Sequence, residues 1–464
     1  FVNLIIAPSL LSCRASLRYT KKMHELAHEF TDRKISPWGG IKYFHKTYVT
    51  SGTKSFLSTL DLPQPGSNRG YDPVELVEGF MTSVILGARR LEHSGMLRMD
   101  KVIEEIFGWR KGMASASTFS RFLDKFDAER NDRIFPPLMK HILDQVPIRF
   151  MTLDIDSSVI TRYGKQECAI KGYNPGKRGR PSHNPLMAFS DELKMVVNAW
   201  MRTGDSHSTT DAIEFLEETF KIVARDNIGL IRGDAGFYSD QIMRYLERED
   251  QPVKYIFRAK KTAALYDKII RIRKWHQNNS VIKHGSYAEI QYQGSKWKKP
   301  RRLIIVRTPQ RKEDNGQQEL FKEYEQLAHF EYMAFVTNAK DSAIEIHRRY
   351  NQRGESENRI KELKYDYGID GFALHHFGAM EAAFRFIMVA FNLMSIFKQA
   401  IMTSEIHHRL STIKFQCIAI GSYLVKGGRK LKMKLSAEGK RRHFLEHLFE
   451  NLEVIRPPYK FSNA

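Results

Sequence analysis

A chain of 464 residues is long enough for several domains that each bury a core, and its 42% hydrophobic and 11% aromatic content excludes a disordered polypeptide. With 74 Lys and Arg against 53 Asp and Glu, the formal net charge is +21, so the molecule attracts polyanions, nucleic acid first among them. Cys13, Cys168 and Cys417 lie too far apart for a disulfide framework or a zinc cluster, which points to a reducing, cytoplasmic setting.

In chain order, the apolar stretch Phe1 to Cys13 lacks a starting Met and a basic leader. Residues 1–33 are therefore expected to be a non-native or flexible start rather than a lipoprotein signal. His24-Glu25-Leu26-Ala27-His28 matches the H-E-x-x-H zinc-protease pattern, but no third ligand follows on a nearby helix and the reading is set aside. Residues 34–148 are predicted to be helical. Val74, Val77, Met81, Val84 and Ile85 recur at helix spacing, Val102, Ile103, Ile106 and Phe107 form a second stripe, and Phe119, Phe122, Leu123 and Phe126 a third. The joint Gly108 to Gly112 and a cap at Ser115 or Ser117 suit a helix-turn-helix that turns Thr118, Ser120, Arg121 and Lys125 toward solvent or DNA.

At Arg149 the period changes. Phe150 to Asp156, Leu186 to Phe189 and Met195 to Met201 read as strands. A helix at Thr209 to Ala224, a strand at Ile228 to Arg232, a helix at Asp240 to Arg248 and a strand at Val253 to Arg258 follow. Three adjacent strands and then strand-helix alternation predict an α/β, ribonuclease-H-like mixed sheet over 149–259 and 341–400. Residues 260–340 are expected to form a β-rich insertion subdomain, with a long helix from Ala343 to Tyr365 resuming the core. Phe377 to Met402 is the most apolar stretch, yet Glu381, Arg385, Asn392 and Lys398 interrupt it, so it reads as a buried helix and not as a membrane span. The tail 401–464 carries 12 Lys and Arg against five Glu.

Acids at strand ends and on one helix face are the candidates for chemistry. Asp154 and Asp156 lie two apart on a strand and share a face, so either suits a metal. Asp156 is favoured because the apolar run ends there. Asp234 follows the strand Ile228 to Gly233, at the carboxyl end where α/β proteins place their sites. On one continuous helix, at roughly 100° per residue, Tyr350, Arg353, Glu357 and Lys364 fall within an arc of about 60°, while Glu355 and Glu362 point away. One acid among Tyr, Arg and Lys suits a metal-bound phosphate. The loop Arg162 to Arg180 holds six Lys and Arg, including Lys177, Arg178 and Arg180, and the segment Lys426 to Arg442 holds eight. Trp297, between Lys296 and Lys298, is a candidate for stacking on a base.

The spacing of Tyr350, Arg353, Glu357 and Lys364 resembles the Y-R-E-K signature of bacterial insertion-sequence transposases. With Leu153 to Ser158, Gly176 to Pro185 and Arg232 to Phe237, the chain is similar from Lys34 onward to the insertion sequence thirteen-eighty family of DDE transposases. Ala235 stands where Ser is common in that family. The resemblance implies that Asp156, Asp234 and Glu357 bind Mg²⁺, with Mn²⁺ as a substitute, and that Tyr350, Arg353 and Lys364 position the DNA end. It implies cleavage of double-stranded DNA at the element's ends, joining of 3′-hydroxyls to target DNA, and a homodimer in the synaptic complex. The alternative is a catalytically inactive DNA-binding regulator or decayed transposase, which leaves the placement of the three acids unexplained.

Overall fold

The computed structural model describes residues 28–278, 280–310, 329–403, 408–428 and 430–461. The start of the chain through residue 27, with most of the H-E-x-x-H pattern, lies outside the described residues. Residues 34–464 form one unit.

Helices α1 (Ile41–Thr50), α2 (Thr53–Leu57), α3 (Pro73–Leu86), α4 (Leu91–Leu97), α5 (Lys101–Phe107), α6 (Ala116–Leu123) and α7 (Ala128–Asp144) come first, after the short strand β1 (Ile35–Ser36). Their ends follow local chemistry. Asp72 accepts from the Val74 and Glu75 amides at the start of α3, and Gly87 ends it at φ +104°, a conformation costly for residues with a Cβ. Ser115 caps α6 through the Thr118 amide. The joint before α6 turns Trp109 inward, where it stacks on Phe107 and donates to Glu78 Oε2 at 3.0 Å.

The central sheet has nine described strands: β2 (Met151–Ser157), β6 (Leu186–Ser190), β7 (Met195–Trp200), β8 (Ile228–Gly233), β9 (Tyr255–Arg258), β10 (His276–Gln277), β11 (Ser286–Tyr292), β12 (Arg301–Pro309) and β13 (Phe330–Thr337). Their order is β10-β11-β12-β13-β9-β8-β2-β6-β7. Strand β2 runs antiparallel to β6 and parallel to β8, and β8 runs parallel to β9. The stretch β7-β6-β2-β8-β9, three antiparallel strands followed by two parallel ones, is the mixed sheet that the order of elements in the sequence predicts. Helices α8 (Ala212–Ile222) and α9 (Asp240–Leu246) make the crossovers into β8 and β9. A small sheet of β3 (Ile160–Thr161), β4 (Ile170–Lys171) and β5 (Pro181–His183) carries the basic loop. After β9 come α10 (Ala263–Ile270) and strands β10 to β13. The expected insertion does not stand apart from the sheet: Phe335 pairs with Arg258 and Val336 with Phe257, so these strands continue it from the open edge of β9.

Alternation along the strands builds two cores. Leu303, Ile305, Val336 and Phe257 enter the larger one, whereas Ile304, Val306, Phe335, Ile256 and Leu230 meet Ala343 and Ile346 on the opposite face. The expected single helix from Ala343 is instead α11 (Ala343–Asn351) followed by α12 (Gly354–Tyr365). Between them the Arg353, Glu355 and Ser356 amides bond three residues back, and Ser356 Oγ donates to the Arg353 carbonyl at 2.8 Å. This tightened turn rotates α12 out of the phase of a continuous helix.

Helix α13 (Phe377–Ile396) is buried, as its interrupted apolar pattern predicts. Phe377–Ile401 has the length and hydropathy to cross a membrane, yet its apolar window lies wholly inside the fold. Its polar residues are paired: Arg385 with Glu381 at 3.0 Å, Lys398 with Glu362 at 2.7 Å, and Asn392 with both the N–H and the carbonyl of Val196 on edge strand β7. The chain then forms α14 (Leu410–Ile413), the hairpin β14 (Ser422–Gly427) and β15 (Lys430–Leu435), which pairs with β1, and α15 (Gly439–Val454).

Candidate active site

Strand register sets the first two acids side by side. In the parallel pair β2 and β8, Asp154 lies opposite Arg232 and Ile155 opposite Gly233, so the next residues, Asp156 and Asp234, adjoin at the carboxyl end of the sheet. A Cβ on Gly233 would stand 3.0 to 3.2 Å from Phe237, Phe257 and Ile155, which leaves little room for a side chain where the chain turns toward the site. Asp234 is held by its own backbone: Oδ1 accepts from the Gly236 amide at 2.8 Å.

The third acid arrives from α12. Helix α11 is seated on the sheet extension by Ile346, and the Tyr350 ring rests on Phe335 with centroids 4.6 Å apart. The tight turn after it brings Arg353, Gly354 and Glu357 to the same opening. Asp156, Asp234, Glu357, Tyr350 and Arg353 thus line one cavity of about 660 Å³, together with Arg258, Lys260 and Lys261. Glu357 is exposed to it and makes no hydrogen bond or ion pair with the described residues.

The two acids of β2 have different surroundings. Asp154 is fully buried and gripped by Arg232, Nε to Oδ1 at 2.6 Å and Nη2 to Oδ2 at 2.8 Å. Arg232 also reaches Asp191 at 2.9 Å, and Arg359 meets Asp191 at 3.1 Å. Burial alone would raise the Asp191 carboxyl, but Arg232, Lys194 and Arg359 outweigh it and hold it at about 2. Asp156 is pushed up to about 6, chiefly by burial and then by the neighbouring Asp234 and Glu357 charges, against the opposing pull of Arg353. Arg353 Nη2 lies 2.7 Å from Asp156 Oδ2 and its Nε has no hydrogen-bond partner among the described residues.

Hard oxygen donors facing one opening are what a divalent cation such as Mg²⁺ requires, and the raised Asp156 marks a buried carboxyl with two acid neighbours, whose ionised form a bound cation would favour. Among the described residues no three His, Cys, Asp or Glu side chains are already closed into a ligand set. The Arg353 guanidinium is the counter-charge of Asp156 in this arrangement.

Other sequence candidates are placed differently. Lys364 is behind the cavity wall, donating to the Val159 carbonyl at 3.2 Å. Lys177, Arg178 and Arg180 are exposed on the loop of the small sheet, with Arg180 over the Tyr163 ring, and make no ion pair with the described residues. That loop is anchored by buried Arg162, which donates to His183 and to the Asp370 carbonyl. Trp297, the base-stacking candidate, is 9% exposed and packed against Tyr238 and Tyr292 with the Arg301 guanidinium 5.1 Å from its ring. Glu362 does not face solvent opposite Glu357. It is 1% exposed and accepts from Lys398 and from the Leu410 amide. The cations Arg258, Lys260 and Lys261 escape the sequence reading, although Arg258 ends β9 and the two lysines follow it at the same sheet end as Asp234.

No curated protein matches the chain. The cryo-EM structure of a piggyBac transposase synaptic complex with hairpin DNA aligns with it at a TM-score of 0.44 and 12% identity, over 91% of this chain and 82% of that one. The family model described as transposase DDE domain group 1 matches residues 19–457, nearly the whole chain, which therefore belongs to that family of DDE transposases.

Proposed function

We propose that this DDE transposase cleaves DNA at the ends of a bacterial insertion sequence of the thirteen-eighty type and joins the freed 3′-hydroxyls to target DNA. Asp156, Asp234 and Glu357 would hold Mg²⁺, or Mn²⁺ in its place. When bound, such a cation activates the attacking oxygen and stabilises the leaving one. The observation that carries the reading is the convergence of three acids, from the ends of β2 and β8 and from α12, on one cavity rimmed by cations.

In the first step a water oxygen attacks the scissile phosphorus and the P–O3′ bond breaks. In the second the freed 3′-hydroxyl attacks a target phosphorus, its oxygen forming the new phosphodiester as the target's own P–O3′ bond breaks and leaves a target 3′-hydroxyl. Tyr350 and Arg353 line the cavity and would orient the phosphate, while Arg258, Lys260 and Lys261 add charge at its mouth. Lys364 acts on the site from behind, and Lys177, Arg178 and Arg180 would take flanking phosphates. Two active sites acting on two ends imply a homodimer at synapsis, working in the bacterial cytoplasm. An inactive regulator would have no need for an acid cluster that burial opposes.

Purified protein incubated with DNA bearing the flanking repeats and Mg²⁺ should yield cleaved ends and strand-transfer products. Cleavage undiminished by EDTA would overturn the metal assignment.

A further inference from the structure

The strongly basic segment Lys426 to Arg442 has no part in the cavity, and its fold gives it an ordered shape. Strands β14 and β15 form an antiparallel ribbon in which Tyr423 pairs with Lys434, Val425 with Lys432 and Gly427 with Lys430. Ser422, Leu424, Met433 and Leu435 occupy the other face, buried or half-buried, with Ser422 and Leu435 close against Gly39. Lys430, Lys432 and Lys434 are all exposed on the outer face. At about 3.4 Å per residue they stand roughly 6.8 Å apart in a row.

None of the three is balanced. Their cross-strand neighbours are Tyr, Val and Gly, and no acid among the described residues pairs with them. Solvated strands ordinarily place opposite charges across from one another, and like charges so close repel. Lysines on an edge strand do guard against edge-to-edge association. That role does not require three unpaired lysines on one face beside exposed Ile35 and Tyr423.

We propose that the β14–β15 ribbon is a second DNA-binding surface, in which Lys430, Lys432 and Lys434 seat on separate phosphates of duplex DNA without regard to sequence. The inference rests on the reading of the chain as a DNA transposase. Charge spacing on one DNA strand is about 3.4 Å along the axis, so a row spaced at roughly 6.8 Å spans two steps per lysine and each lysine meets a separate, alternate phosphate. Tyr423 and Val425 would lie against the sugar edge between them.

The test uses the full chain and a duplex of arbitrary sequence, with affinity measured across a salt series. Each phosphate contact contributes about 0.9 to the slope of log affinity against log salt. K430Q/K432Q/K434Q is expected to lower that slope by about 2 to 3, and Lys432→Gln alone, which leaves two edge lysines, by about 1. The Lys→Arg triple should keep the slope. Neutralising Lys46, Lys101 and Lys140, each already paired with an acid, should leave it nearly unchanged. An unchanged slope in the ribbon variants, or an equal loss in the paired-lysine control, overturns the ribbon. Loss of binding to anionic lipid vesicles with duplex binding intact assigns it to a membrane surface and overturns it too. If the unaltered protein binds no duplex at any salt, the reading of DNA binding itself falls, an outcome distinct from a ribbon that merely contributes nothing.

Discussion

Arg232 holds Asp154 through two hydrogen bonds, of 2.6 and 2.8 Å, on the strand that two residues later delivers Asp156 to the cavity. The pair separates two acids that look equivalent in the sequence. Asp154 is saturated by a buried guanidinium, and Asp156 keeps a face on the opening. Replacing Asp154 with Ala should therefore cost stability, about 3 kcal/mol, because it strips one partner from a buried cation. Asp156→Ala frees Arg353 from its ion-pair partner but also removes a carboxylate that burial penalises, so it should cost less stability than Asp154→Ala and lose cleavage by at least on the order of 10²-fold while still binding DNA. Thermal melts beside an end-cleavage assay decide this; a stable, inactive Asp154→Ala with an active Asp156→Ala would reverse the assignment.

The burial of Asp156 beside two other acids has a consequence for pH. Burial, with Asp234 and Glu357, raises its carboxyl from 3.8 to about 6 despite Arg353. A raised folded pKa means that the contribution to stability is fully present below about pH 4 and is lost as pH rises through 6. At pH 7 the ionised group opposes folding, by on the order of 1–3 kcal/mol. Asp156→Asn should thus melt at a higher temperature than the unaltered protein at pH 7 without metal, and the gap should close toward pH 4. A gap independent of pH would show that the acid cluster is not electrostatically loaded.

What could be read from the sequence was local. An apolar run ending in Asp announces a strand-end acid, so Asp156 and Asp234 are legible, as is the polar-interrupted helix from Phe377. The phase of α12 was not legible, because the turn at Arg353 to Ser356 winds more tightly than an α-helix and no residue spacing reveals that. Glu362 consequently points into the fold toward Lys398. Strand pairing between distant segments is equally hidden, so residues 260–340 read as a β-rich insertion without any sign that β13 adds to the edge of β9. Arg258, Lys260 and Lys261 could have been found by applying to β9 the strand-end argument used for Asp234.

Trp297 separates packing from recognition. Its ring lies among Tyr238, Tyr292 and Arg301, and Arg301 is itself bound to Asp240 and Glu247. Trp297→Ala should lower stability by about 3–5 kcal/mol. DNA affinity of the folded fraction, measured below the melting transition, should be unchanged. A selective loss of end binding with normal stability would restore the base-stacking role.

The helix face yields the last test, in which charge and geometry give different outcomes. Arg353 reaches Asp156 at 2.7 Å and the Ile155 carbonyl at 3.4 Å from the same nitrogen, beside a Tyr350 that Phe335 holds in place. If positive charge alone matters, Arg353→Lys should be silent. If the planar guanidinium is required to bridge Asp156 and a bound phosphate, Lys should reduce strand transfer on the order of tenfold, the loss of one charge-assisted hydrogen bond. Tyr350→Phe should impair end processing without lowering stability, since the ring packing survives. Glu355→Gln, on an exposed site away from the cavity wall, should cost little in either assay. Glu362→Gln should leave the chemistry intact but destabilise the fold, because Lys398 is then buried without its counter-charge. Cleavage, strand transfer and melting temperature measured for these four variants at one salt concentration separate the roles. A silent Arg353→Lys together with an inactive but stable Glu355→Gln would mean that α12 presents a different face to DNA, and Glu357 would lose its place beside Asp156 and Asp234.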